Sequence, residues 1–255
     1  MKKIISLIYH DVYDKRTAES GFQNQEALVY KINAIDFENQ VKKISSFKEK
    51  YDIRFTFDDG GSSFYVLIAP ILEKYNFKGY YFISSDFINK KGFLTENQLR
   101  KLSESGHFIG SHSSSHPRDM TKLSCERQFE EWDKSKNTLE KIIGKEIVMA
   151  SIPNGQFNKK VLEIMIKVGI REVYTSIPRT GFTSFNLNED LALLSYGRFP
   201  VRNDQSTNRV ISIMSSRKNR ILMYLRWMVL QILLFLFKER YYDIRSFFLK
   251  KNNTN

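Results

Sequence analysis

The sequence predicts an α/β protein: an irregular (β/α) barrel of about seven parallel strands, followed by a helical tail. Three observations carry this expectation. Short apolar runs alternate with helix-period segments about seven times between Ile4 and Phe199. No strong hairpin signal separates them, so each crossover must return the next strand parallel to the last. Polar constellations follow the strand ends, at His10, Asp58-Asp59, His112, Asn154 and Arg198, and parallel barrels carry their chemistry there.

The first strand runs from Ile4 to Tyr9. Residues 11–33 are mixed in character and read as a long loop, a kind of segment that is often functional. Asp36 is expected to cap a helix whose Phe37, Val41 and Ile44 share a face. Ile53 to Phe57 reads as a buried strand and ends in the turn Asp58-Asp59-Gly60-Gly61. Residues 62–75 are helical in pattern, with Pro70 starting or kinking a helix. Gly79 to Ser84 is the third strand.

Thr95 with Gln98 forms a capping box, Leu94 with Leu99 a hydrophobic staple, and Gly106 closes that helix. His107 to Ser111 is a strand that delivers His112. Over 122–143 a helix is expected with Cys125, Phe129, Trp132, Leu139 and Ile143 on one face and Gly144 as terminator. Ile147 to Ile152 is a strand ending in Pro153-Asn154-Gly155. Asn158 caps a helix running to Gly169, and strands follow over 172–176 and 193–199.

The 255 residues, 42% of them hydrophobic, suffice for one sizeable core plus extra segments. A single cysteine, Cys125, excludes an internal disulfide framework. The apolar run after Met1 is short and meets His10-Asp11 without a small-residue cleavage site. It reads as a core strand rather than a signal peptide, so the expected location is cytoplasmic, at the inner face of the membrane. The net charge is +12, but residues 198–255 hold 12 Lys and Arg against 3 Asp and Glu, a surplus of nine. The basic character therefore belongs mainly to the tail.

Successive side chains on a strand point to opposite faces, so the paired carboxylates Asp58 and Asp59 can serve different tasks, one on a metal and one on a proton. The pair also suits a plain solvated turn. His112 and His116 stand four apart, a spacing that on a helical turn puts both imidazoles on one face. With one distant aspartate they would make three protein ligands and leave a position for water, the pattern of catalytic zinc. A polar surface loop is the other reading of Ser111–Pro117.

Taken together, Thr56-Phe57-Asp58-Asp59-Gly60 and Ser111-His112-x-x-x-His116-Pro117 resemble the first two motifs of the polysaccharide deacetylase family (carbohydrate esterase family four, the NodB homology domain). Ala150–Gly155 resembles its third motif in a variant form. The resemblance covers roughly residues 4–200 and implies a distorted barrel of the glycoside hydrolase–deacetylase type. It implies that Asp59, His112 and His116 bind a divalent metal, Zn²⁺ first, with Co²⁺, Ni²⁺ or Fe²⁺ also suited, and that Asp58 is the catalytic base. Tyr9-His10 resembles a pair found in a subgroup acting on polymeric N-acetylglucosamine, which makes His10 a candidate acid.

Two departures matter. No histidine follows His116, so the family's late general acid is absent in its usual form. Ser151 stands where the third motif often has the arginine that partners the base. Arg198 is expected either to orient Asp58 or to bind a substrate oxyanion, and Pro153, Asn154 and Gly155 to line the sugar site. His107 reads as a packing residue.

The expected division is residues 1–205 as the deacetylase domain and 206–255 as a basic, apolar tail. Fifteen of the 17 residues from Ile221 to Phe237 are apolar, and Arg217, Lys218, Arg220, Lys238 and Arg240 flank them. Three arrangements suit this stretch: peripheral membrane association through residues 217–240, packing on protein, or a short span. No nucleic acid partner is expected, because the charges flank an apolar run.

The expected activity is removal of N-acetyl groups from an amino sugar of a polysaccharide, oligosaccharide or lipid-linked glycan in surface polysaccharide biosynthesis. The alternatives are a glycan-binding protein with impaired catalysis and a related deformylase or O-deacetylase.

Overall fold

The structure, a computed structural model, describes residues 2–188 and 191–237. Residues 238–255 of the predicted tail, with Lys238 and Arg240, lie outside the described residues. In chain order the strands are β1 (Lys3–Tyr9), β2 (Val12–Tyr13), β3 (Ile32–Asn33), β4 (Tyr51–Phe57), β5 (Gly79–Ile83), β6 (Phe108–Ser111), β7 (Met149–Ser151), β8 (Glu172–Tyr174), β9 (Phe182–Asn186), β10 (Ala192–Tyr196) and β11 (Arg198–Pro200). The helices are α1 (Gln25–Leu28), α2 (Ala34–Ser45), α3 (Ala69–Lys74), α4 (Glu96–Glu104), α5 (Cys125–Ile143), α6 (Lys159–Val168), α7 (Thr207–Ser215) and α8 (Arg217–Phe237).

One sheet has the order β11-β1-β4-β5-β6-β7-β8-β10-β9, with every pairing parallel except β10 with β9. β10 pairs with β8 and β11 pairs with β1, so a single strand broken at Gly197 closes the barrel through the chain itself. A Cβ at Gly197 would lie 2.2 Å from Arg179 Cγ and 2.6 Å from the Arg179 carbonyl oxygen, so only glycine passes there. Counting β10 and β11 as one gives the seven parallel strands expected. The antiparallel β9 was not anticipated.

Side-chain alternation gives the sheet two faces. Ile5, Leu7, Phe55, Phe57 and Tyr81 belong to the large core under the helices. Phe82, Tyr174 and Tyr196 form a second cluster on the other face. Two arginines sit in that second layer. Arg54 lies over the rings of Tyr80, Tyr174 and Tyr196, and Arg198 lies over Phe82. Cations on aromatic faces keep this layer packed while carrying charge.

Local signals held where the physics was local. Thr95 and Gln98 make the reciprocal capping box, Leu94 and Leu99 are fully buried, and Asn158 caps α6. Pro70 sits inside a continuous helical run, where a π-helical turn over Phe64–Ile68 leads directly into α3. Gly144 ends α5 at φ 68.

Three expectations are corrected. Asn33, not Asp36, caps α2, because its side chain accepts the Ile35 N–H. Residues 11–33 are not a plain loop: they hold α1 and the two-stranded ribbon of β2 and β3. On α5, Phe129 is 43% exposed, whereas Gln128, Glu131 and Ser135 are buried, because that face meets a polar loop. α7 buries Val210, Ile213 and Met214 in the barrel's core. Among the described residues, no helix is long and apolar enough to cross a membrane.

Candidate metal centre and active site

The ends of β4, β5 and β6 lie side by side, and main-chain bonds tie the turns that leave them. Ser84 N–H donates to the Asp59 carbonyl at 3.2 Å, His112 N–H to Ile83 at 2.9 Å and Ser85 N–H to Ser113 at 3.2 Å. β4 stops at Phe57, and the next residues turn sharply, with Asp59 at φ 87 and Gly60 at φ 98. Asp58 and Asp59 therefore diverge through a left-handed turn, not through strand alternation as expected. A left-handed aspartate is uncommon, and such conformations cluster where a side chain must be aimed.

His112 and His116 do not lie on a helical turn either. Ser113 and His116 both adopt positive φ, 61 and 57, and this curls the loop so that both rings meet Asp59. His112 Nε2 is 3.4 Å and His116 Nε2 3.3 Å from Asp59 Oδ1. One ligand atom from each of the three residues lies within 4.8 Å of the others. The far nitrogen of His112, Nδ1, faces Ser151 Oγ at 2.6 Å and the Ser151 carbonyl at 3.0 Å. That leaves Nε2 for the cluster, as a metal-bound imidazole requires. One carboxylate oxygen and two imidazole nitrogens, with room for further ligands, fit a divalent ion of the zinc type.

The loop is held from below by Glu131 of α5. Its carboxylate accepts from the Ser114 and Ser115 N–H groups at 3.1 and 2.8 Å and from both hydroxyls at 3.1 and 2.6 Å. Burial acts to raise the Glu131 carboxyl, but the Ser115 and Ser114 donors more than offset it, so its pKa lies below the usual value. From above, Phe22 lies 5.1 Å from the His116 ring and edges onto Phe87 and Phe93. Phe22 is brought there by a buried hub: Asp11 accepts from Ser20 Oγ at 2.5 Å and Ser63 Oγ at 2.8 Å. A Cβ on Gly61 would lie 2.0 Å from that carboxylate.

Asp58 is gripped by Arg198. NH1 donates to Oδ1 at 2.7 Å and NH2 to Oδ2 at 2.9 Å, while NH1 also reaches Thr56 Oγ1 and Nε the Thr175 carbonyl. Burial acts to raise the Asp58 carboxyl, but the Arg198 guanidinium, with His112 and His10, holds it below the ordinary value. Arg198 is fully buried, with its donors turned to Asp58, Thr56 and Thr175. The partner that Ser151 does not supply comes instead from β11, the strand that closes the barrel.

His10 follows β1 and stacks on Tyr30 at 4.5 Å, with Nδ1 buried and unpartnered. Burial pushes its pKa down, against the pull of Asp59 and Asp58. At the end of β7, Pro153 is buried, while Asn154 is exposed and reaches the Pro117 carbonyl at 3.4 Å. This sets the third motif against the His116-Pro117 loop. His107 lies apart from the site, accepting the Gly79 N–H on Nδ1 at 2.9 Å.

Glu131, Phe22, Asp11 and Ser151 were not singled out from the sequence as site residues. Glu131 sits 15 residues beyond His116, on a helix whose apolar pattern pointed elsewhere. The clearest sequence signal for Asp11 is its position directly after His10.

Comparison with known proteins bears on the family and the fold. The polysaccharide deacetylase family model matches residues 47–173, about half of the chain. The peptidoglycan-N-acetylmuramic acid deacetylase PdaA of Bacillus subtilis is 28% identical over 160 residues, 58% of each chain. The chain spans about half the length of the curated relatives it matches. The Streptococcus pyogenes deacetylase PplD superposes with a TM-score of 0.68 at 22% identity, over 83% of this chain and 98% of that one. IcaB from Ammonifex degensii does so with a TM-score of 0.64 at 18% identity, over 85% and 98%. On the matched motifs and the shared distorted barrel, the chain belongs to the polysaccharide deacetylase family.

Proposed function

We propose that this protein is a metal-dependent hydrolase that removes N-acetyl groups from an amino sugar of a polysaccharide, oligosaccharide or lipid-linked glycan, in the assembly of surface polysaccharide. The observation that carries the reading is the juxtaposition of Asp59, His112 and His116 with a second carboxylate, Asp58, held ionised by Arg198. The name of the B. subtilis relative, a deacetylase of an N-acetylated amino sugar, supports the substrate class.

Asp59, His112 and His116 would hold the ion, most simply Zn²⁺, with Co²⁺, Ni²⁺ or Fe²⁺ also suited to the donors. When bound, it would polarise the acetyl carbonyl and acidify a water. Asp58, ionised and pinned by two hydrogen bonds, accepts a proton from the attacking water. Arg198 fixes the carboxylate's direction without meeting substrate. His10, kept neutral by burial, can take up that proton and return it to the departing amine, and its depressed pKa makes the protonated ring a ready donor. Asn154 and Gly155, on the same rim as His116, would line the sugar site, with Pro153 buried behind them. Phe22 closes one side of the centre against water.

Residues 1–205 form the deacetylase domain, and the tail over 206–255 provides peripheral membrane association through residues 217–240. The test is acetate release from N-acetylated oligosaccharides and lipid-linked sugars, with chelator and with Zn²⁺ or Co²⁺ restored. Release should need metal and vanish in Asp58→Asn. Release undiminished by chelator or by that substitution overturns the mechanism, and metal binding without release from any N-acetylated substrate overturns the activity.

A further inference from the structure

A second concave site lies far from the metal centre. It is a cleft of about 250 Å³ between the first turns of α8 and the seam of the barrel. Four of its lining residues are cations, Lys3, Arg179, Arg217 and Arg220, and among the described residues no carboxylate lines it. Lys3 opens β1, whose other end is Tyr9 beside the active site, so the two sites stand about 20 Å apart along that strand. Nothing in the proposed hydrolysis uses this cleft.

The cations are arranged rather than scattered. Arg220 is anchored by the Ile213 and Met214 carbonyls at the end of α7 and lies over the Tyr51 ring. Arg179 spans to Thr183 Oγ1 and the Ser195 carbonyl, yet its buried Nε has no hydrogen-bond partner among the described residues. Lys3 and Arg217 are exposed at the mouth. The cleft also opens at the N-terminal end of a 21-residue helix, where an anion is favoured.

The same helix continues out of the cleft as an apolar rod. Leu222, Leu225, Val229, Ile232 and Leu236 are 48, 48, 55, 55 and 64% exposed. Their 3-4-3-4 spacing makes one stripe, which Met228, three beyond Leu225 and four before Ile232, widens at 38% exposed, while Leu230 on another face is 46% exposed. A helix pair would cover a narrow stripe, whereas this broad apolar face suits the acyl boundary of a bilayer. A cationic cup at the base of such a rod complements a surface that is apolar within and anionic at its boundary.

We propose that the cleft of Lys3, Arg179, Arg217 and Arg220 binds the phosphate headgroup of an anionic phospholipid in a bilayer, with α8 lying in the acyl boundary beside it. This gives the membrane association a specific anchor, and its test reads binding alone, so it stands or falls separately from deacetylation.

The full-length protein is sedimented with vesicles of phosphatidylcholine alone and of phosphatidylcholine with 30% phosphatidylglycerol, at low and high salt. Binding should need the anionic lipid, weaken with salt and survive millimolar inorganic phosphate, which separates a bilayer headgroup from a free anion. A basic residue near the surface is worth about fivefold in partitioning. Lys3→Gln with Arg217→Gln, both exposed, should therefore weaken binding roughly 25-fold, whereas Lys42→Gln with Lys43→Gln on α2 should change it less than fivefold. Equal binding to neutral vesicles, equal losses in the two double variants, full competition by phosphate, or dimerisation without vesicle binding would each overturn the proposal.

Discussion

Replacing Arg198 with Met isolates the interaction on which the proposed base depends. In the native protein, Asp58 is 3% exposed and both of its oxygens accept from one guanidinium, at 2.7 and 2.9 Å. Methionine fills similar volume but leaves a buried carboxylate without its cation. Removing one partner of a buried pair costs about 3–5 kcal/mol, because the remaining charge is desolvated and uncompensated. For a domain of this size that corresponds to a fall in Tm of roughly 6–20 °C. The unpaired carboxyl also takes up a proton more readily, so the acid limb of the activity should move to higher pH. Arg198→Lys keeps the charge but cannot form the two-pronged contact, so it should fall between the two. Asp58→Asn in the Arg198→Met background removes the stranded charge and should restore much of the lost stability, a coupling read by a double-mutant cycle. Calorimetry and a pH–rate profile check both arms. Wild-type Tm and an unmoved acid limb in Arg198→Met would refute the reasoning.

Other outcomes follow from the same geometry. Zn²⁺ at about 100 times its Kd should stabilise chelated protein by ~2.7 kcal/mol, a rise in Tm of roughly 5–10 °C, and Asp59→Asn should lose most of that rise in differential scanning fluorimetry. Glu131→Ala frees the Ser114 and Ser115 donors and loosens the loop between the two histidines. It should weaken Zn²⁺ binding about 10–100-fold by titration calorimetry, and unchanged affinity would show that the loop holds itself. Burial, with Lys78, lowers the His107 pKa against the opposing pull of Glu73. The unfolded chain then binds the extra proton first as pH falls through about 6.5, so His107 contributes full stability above that pH and loses it below. Asn at 107 still offers an acceptor to the Gly79 N–H but cannot titrate. Urea midpoints between pH 7.5 and 5 should fall less steeply in His107→Asn than in wild type, and parallel curves would discount the histidine.

How far the sequence could be read depended on the range of each cause. Apolar runs ending in polar residues marked the seven parallel strands, and the Thr95–Gln98 box and Gly144 marked helix ends, because those signals lie within a few residues of what they govern. β9 escaped because its Phe182–Asn186 face is mostly exposed and carries no clear alternation. The cap of α2 was placed at Asp36, one turn late, because Asn33 and Asp36 are both good caps and only the backbone chooses. The two histidines were read on a helical turn since spacing alone cannot show positive φ at Ser113 and His116. The buried face of α5 was read from its apolar residues, yet what it meets is the polar loop that Glu131 holds.

Arg198 is the instructive case, because its partner lies 140 residues earlier in the chain and no local pattern could join them. β1 lies between them in the sheet, flanked by β4, which carries Asp58, and by β11, which carries Arg198. The ion pair therefore reaches across β1 on the inner face, just above the kink at Gly197 that lets one strand serve both edges. The three metal-ligating candidates lie within residues 59–116 at the ends of β4 and β6, and the side chains that brace them, Glu131 of α5 and Ser151 of β7, also precede β11. The ionised Asp58, the proposed base, needs the last strand to be seated as well. Closure of the barrel and readiness of Asp58 are thus one event: a barrel with β11 displaced would keep its metal centre while Asp58, buried without Arg198, drifted toward its neutral form.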